Sequence, residues 1–178
     1  MLFRSADWGV LVAGCARLDA ITRPGTLPKK FPYPAPDGKE LRDRPAYYYT
    51  QSSVIPYRVR DGKAEILVIA SSKKHHLVVP KGIKDPGLSP RESAAKEALE
   101  EAGIEGEVAE TALGSYTCEK WGATCTVTVY PMKVTRFIAE EDWEESHRGR
   151  EWVSPERAAK ELKQRELAPL VNKLEAMF

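Results

Sequence analysis

Three glutamates stand together near the middle of the chain, Glu97, Glu100 and Glu101, in the spacing E-x-x-E-E. On a helix these positions (i, i+3, i+4) share an arc of about 100°. Like charges at that spacing repel by about a few tenths of a kcal/mol per pair. A hard divalent cation, which takes oxygen ligands, turns that repulsion into attraction. The segment just upstream carries the opposite sign: Lys73, Lys74, His75, His76, Lys81 and Lys84 run without an acid until Asp85. Lysines neutralise phosphate, and carboxylates hold a metal that bridges to it, so the two segments together supply a phosphate–metal site. For the glutamates alone, a solvated acidic helix face is the plainer explanation. The basic approach beside them favours the metal.

Such a site needs a helix and a loop held in register. Ser89-Pro90-Arg91-Glu92 has the residues of a capping box with proline at the first helical position, and Gly103 suits a left-handed stop, so a helix is predicted over Pro90–Ala102. At 100° per residue, Ala94, Ala95, Ala98, Leu99 and Ala102 make a small-residue packing face separate from the glutamates. Asp85-Pro86-Gly87 is a turn that folds the segment from Gly82 back onto the helix start. Strands are expected over 52–59 and 65–70, joined through Asp61-Gly62, and over 77–79, 114–118, 124–134 and 151–153. Two closing helices are expected at roughly 155–163, capped by Ser154, and 169–177. Strands interleaved with helices imply an α/β (α+β) architecture, a mixed β-sheet between helices.

The 178 residues are 42% apolar and 30% charged, which suits one packed domain. Lys+Arg number 27 against Asp+Glu 26, so no chain-wide field attracts nucleic acid or an anionic membrane, and neither is an expected partner. Apolar runs are too short for a spanning helix. Cys15, Cys118 and Cys125 lack C-x-x-C spacing, which argues against a zinc site or a disulfide framework and fits reduced thiols in a cytoplasmic protein. Cys118 and Cys125 flank the expected hairpin turn and could face each other across it. Val12-Ala13-Gly14-Cys15 has the form of a lipoprotein cleavage site, but the apolar stretch before it is undersized. Six of the thirteen prolines fall between Pro24 and Pro45. Residues 1–45 are therefore expected to be a Pro-rich N-terminal extension, followed by a catalytic domain over 46–178, about 130 residues.

The segment from Gly82 to Ile104 resembles the Nudix box, in which glycine, five residues, glutamate and seven residues precede R-E-aliphatic-x-E-E-x-G-aliphatic. Gly82 and Lys96-Glu97-Ala98-Leu99-Glu100-Glu101-Ala102-Gly103-Ile104 stand in register with it. Two positions depart: Leu88 replaces the box glutamate and Lys96 the box arginine. In the family these two brace the loop against the helix, and here Lys96 is expected to pair with Glu92 or Glu100 instead. Glu141-Asp142-Trp143-Glu144-Glu145-Ser146 and Arg148-Gly149-Arg150-Glu151-Trp152 are similar to segments of the diphosphoinositol-polyphosphate phosphohydrolase branch, as is Ser71-Ser72-Lys73. That branch also hydrolyses diadenosine polyphosphates.

The resemblance implies a Nudix-like α/β/α sandwich and metal-assisted hydrolysis of a pyrophosphate bond in a small-molecule polyphosphate. Mg²⁺ or Mn²⁺ would be held by Glu97, Glu101 and the Gly82 carbonyl, with Glu100 as base or further ligand. Lys73, Lys81, Arg148 and Arg150 are the candidates for the outer phosphates, the two histidines possible additions, and Glu141, Asp142 or Glu144 could lend a loop carboxylate. Leu88 and Lys96 equally suit a binding or regulatory module that has lost turnover. A 5′-end RNA pyrophosphohydrolase would need stacking aromatics, for which Tyr47-Tyr48-Tyr49 is the one hint.

Overall fold

The computed structural model describes residues 33–34, 41–73 and 75–178. Cys15 with its cleavage-like pattern, most of the Pro-rich stretch and Lys74 lie outside the described residues. Within that stretch, β1 (Tyr33–Pro34) pairs antiparallel with β2 (Leu41–Arg42).

The main sheet grows from two tight turns. β3 (Thr50–Arg60) and β4 (Lys63–Ala70) are antiparallel, and Arg60 faces Lys63 across Asp61 and Gly62, both at positive φ (51° and 74°). That backbone twist matches the strands it joins and suits the Asp-Gly pair. β8 (Gly114–Lys120) and β9 (Ala123–Phe137) close in the same way through Trp121 and Gly122, φ 52° and 74°. Cys118 and Cys125 are direct cross-strand partners there, as free thiols.

β3 runs parallel to β9, while β10 (Arg150–Val153) flanks β4 and β7 (Ile104–Val108) flanks β9, both antiparallel. The order is β10-β4-β3-β9-β7, with β5 (Leu77–Val78) on β4, β6 (Lys81–Ile83) on β3 and β8 on β9. The sheet is mixed, as the alternating elements implied.

Its two faces are both buried. Val54, Leu67, Ile69 and Met132 point to α1 (Pro90–Ala102), and Ile55, Ile66, Val68 and Val129 point to α2 (Pro155–Glu161) and α3 (Ala168–Glu175). Two-sided burial explains why Ile66-Leu67-Val68-Ile69 is a continuous apolar run with no polar alternation. The result is an α/β/α sandwich. β6 and β7 were not anticipated. β6 is three residues long beside Pro80, and β7 (IEGEV) carries a register shift at Glu105/Gly106. Neither has enough apolar periodicity to be visible locally.

Candidate functional site

Helix α1 has the limits its caps imply. Ser89 Oγ accepts from the Glu92 N–H (3.2 Å), Glu92 Oε2 accepts from the Ser89 N–H (2.8 Å), and Gly103 closes the helix at φ 58°. Its buried face differs from the expected one. Ser93, Ala94, Ala98 and Ala102 are buried, but Leu99 is 40% exposed. The helix is rotated so that Glu97 and Glu101 flank the alanines, and Leu99 turns to solvent. Helical angles alone could not set this rotation, because the closest approach is made by small residues over β3 and β6. The rotation carries two carboxylates toward the sheet edge.

Glu97 meets β6 at Gly82. A Cβ at residue 82 would fall on the Glu97 carboxylate, so only glycine leaves room for the two chains to touch. Burial, reinforced by the charges of Glu101 and Glu100, pushes the Glu97 carboxyl up to about 7. Glu101 accepts the Lys81 N–H (2.9 Å) and pairs with Arg148 Nη2 (3.2 Å). Its carboxyl is also raised, since burial outweighs these contacts. Glu100 behaves differently. Its side chain is half-exposed at the rim, 3.7 Å from Lys96 Nζ, and its main-chain oxygen accepts from Trp143 Nε1 (3.1 Å). The three carboxylates therefore do not converge as one cluster, and among the described residues no three His, Cys, Asp or Glu side chains gather into a ready-made ion cage.

The donor chemistry nevertheless fits a hard divalent cation. Two carboxylates are drawn out of water, and burial together with the like charges of Glu101 and Glu100 raises one of them, Glu97, to about 7, beside a strand position that has no side chain. That combination favours a compensating positive charge.

A cavity of about 440 Å³ opens beside Glu101. Lys81 and Arg148, two of the candidates for the outer phosphates, line it, and so do Lys120 and Lys163, which no spacing rule singles out. Lys81 Nζ donates to Gln51 Oε1 (2.7 Å), and burial followed by the charge of Lys120 lowers its pKa. A cation depressed by burial and a second cation answers the glutamates with the opposite sign. A larger hollow of about 870 Å³, bounded by Arg60–Glu65, Ser154–Glu156 and Phe178, contains none of the candidate residues.

Two expected phosphate contacts do not reach the cavity. Lys73, like His75 and His76, is exposed in the turn after β4 and does not line it, although Ser71 and Ser72 do. Arg150 is committed elsewhere. Its guanidinium donates to the carbonyls of Gly103 (2.8 Å) and Ile138 (3.2 Å) and lies over the Trp143 ring (4.4 Å). It covers the carbonyl end of α1, where a cation is favoured. Gly149, at φ 65°, separates the short helical turn that ends at Arg148 from β10, which begins at Arg150, and the two arginines have different partners.

The loop acids divide in a similar way. Glu141, Asp142 and Glu144 are exposed, while Glu145 contacts Arg148 Nε at 2.5 Å and adds to the upward shift of Glu101. Arg148, with only 10% of its side chain exposed, thus links Glu145 to Glu101. The E-x-x-R spacing of 145 and 148 was the available signal. The tyrosine run is largely packing: Tyr49 is buried with its hydroxyl on the Trp121 carbonyl (3.0 Å), and Tyr48 meets the Trp121 ring edge-on at 5.3 Å.

Comparison with known proteins bears on the family and the fold. Residues 49–174 match the NUDIX domain model. Nudix hydrolase 12, mitochondrial, of Arabidopsis thaliana is 31% identical over 142 residues, 66% of this chain and 69% of that protein. Diphosphoinositol polyphosphate phosphohydrolase 2 of Rattus norvegicus is 36% identical over 102 residues, 55% of this chain and 54% of the relative. The chain thus spans between about half and two thirds of the length of these two relatives. The crystal structure of a C. elegans Ap4A hydrolase binary complex superposes with a TM-score of 0.62 at 27% identity, covering 72% of this chain and 96% of that one.

Proposed function

The chain belongs to the NUDIX domain family as a Nudix hydrolase, and from that premise we propose that it cleaves a pyrophosphate bond in a phosphate-rich small molecule, a diadenosine polyphosphate or a diphosphoinositol polyphosphate, with Mg²⁺ or Mn²⁺. One observation carries this reading. Glu97 and Glu101 lie against the β6 edge at Gly82 and Lys81, next to a cavity walled by Lys81, Lys120, Lys163 and Arg148.

Glu97, Glu101 and the Gly82 carbonyl are the groups that would hold the metal. When bound, such an ion neutralises phosphate charge and acidifies coordinated water. The rest falls to the protein. Glu100, exposed at the rim, is the candidate to take a proton from the attacking water. Arg148 fixes the Glu101 carboxylate so that it need not reorganise. The lysines hold the phosphates beyond the scissile bond and orient the chain of phosphates for in-line displacement. Relatives named for diphosphoinositol polyphosphates and for Ap4A support this substrate class. A cytoplasmic setting is part of the same proposal.

The test is a substrate panel in Mg²⁺: diadenosine polyphosphates, diphosphoinositol polyphosphates, ADP-ribose and nucleoside triphosphates, each repeated with chelator. Metal-dependent turnover of the first two classes is expected. Binding of these compounds without any metal-dependent product points instead to a regulatory module.

A further inference from the structure

The departures at residues 88 and 96 leave the loop from Gly82 to Ser89 without its family brace, yet the structure fastens that loop another way. Lys96 Nζ reaches Asp85 Oδ2 at 2.6 Å while staying 3.7 Å from Glu100 Oε1. The main chain of Asp85 is held on both sides, since its N–H donates to Ser93 Oγ (3.1 Å) and its carbonyl accepts from the Leu88 N–H (3.2 Å). Ser93 is itself buried, so this anchor belongs to the helix core.

We propose that Asp85 is the positioning residue that replaces the missing acid at 88: through Lys96 it locks the Gly82–Ser89 loop to α1 and so sets Glu97 against Gly82 and Glu101 against Lys81. An isolated ion pair of this exposure, 45% and 36%, contributes little by itself. Here the loop is already ordered by two main-chain hydrogen bonds, so little further entropy is lost in forming the pair. Lysine suits the task because its ammonium is a compact charge with three donors that can serve Asp85 and Glu100 together, where a planar guanidinium would favour one carboxylate. Asp85 does not line the cavity; its contacts are with Lys96, Ser93 and Leu88, and its charge is the last of the causes that raise Glu97, after burial, Glu101 and Glu100.

The inference rests on the metal-dependent reading above, so its test carries a measurement independent of metal. Mn²⁺ affinity is read by electron paramagnetic resonance, and amide exchange of residues 83–89 is read on the metal-free protein. Asp85→Asn is expected to weaken Mn²⁺ about tenfold, the low end for residues that orient ligands, and to speed exchange across the loop. Asp85→Glu should recover both. Asp85→Asn combined with Lys96→Met should be no worse than Lys96→Met alone, as for two partners in one contact. If Asp85→Asn exchanges its loop amides at the wild-type rate, the brace is wrong. If the wild-type protein takes up no Mn²⁺, the metal reading fails, and loop exchange alone still decides for or against Asp85.

Discussion

Replacing Glu97 by glutamine isolates the electrostatic tension at the site. The Glu97 carboxyl lies at about 7 in the folded chain against an ordinary 4.5, with burial as the main cause and Glu101 and Glu100 next. Between those two values the folded state holds a proton that the unfolded state has lost. Folding stability contributed by this group therefore falls as pH rises from 4.5 to about 7 and stays low above it. Taken whole, the shift corresponds to about 3 kcal/mol at pH 8. Water reaches the half-buried carboxylate, so roughly 1–2 kcal/mol is the working figure. Glutamine keeps the shape and removes the charge. Urea unfolding of metal-free protein at pH 8 should then show Glu97→Gln more stable than wild type by that amount, with the two converging near pH 4.5 and below. Added Mg²⁺ should close the gap at pH 8 by stabilising wild type alone. A variant equal to or weaker than wild type at pH 8, with an unchanged pH slope, refutes the reasoning.

Three other variants address separate parts of the structure. Gly82→Ala places a methyl group on the Glu97 carboxylate, and Mg²⁺ affinity measured by calorimetry should fall about tenfold or more while the fold persists, because the displaced group is the end of a side chain. Lys120→Ala with Lys163→Ala removes two cavity cations, so KM for a polyphosphate substrate should rise with kcat little changed, and the salt dependence of KM should flatten. Arg150→Met takes the Arg150 donor from the Ile138 carbonyl and one of two donors from the Gly103 carbonyl, which keeps the Ile138 N–H. It should lower Tm and cost roughly 1–3 kcal/mol in unfolding, with KM for the same substrate unmoved.

How much of this was legible in the sequence follows from the range of the forces involved. The limits of α1 are local matters, a hydroxyl, a carboxylate and a glycine within one turn of each end, and the chain states them outright. The Asp61-Gly62 hairpin is equally local. The rotation of α1 is not, and so Leu99 is exposed against expectation while Glu97 and Glu101 turn inward. Arg148 and Arg150 stand two residues apart with the same chemistry, and only the fold decides that one reaches Glu101 and the other a helix end. The expected pairing of Lys96 with Glu100 is present at 3.7 Å, but its shorter contact is with Asp85, eleven residues away along the chain. Lys120 and Lys163 come to the cavity from distant elements, where no spacing rule applies.

The most direct measurement is phosphorus NMR of product formation at saturating Mg²⁺, comparing wild type with Glu100→Gln and Glu101→Gln on whichever polyphosphate the panel identifies. Each variant should retain its fold and lose about 10²–10⁴ in turnover, the range for a group that moves the proton or holds the ion that acidifies water. Wild-type rates in both variants would place the chemistry somewhere other than this helix.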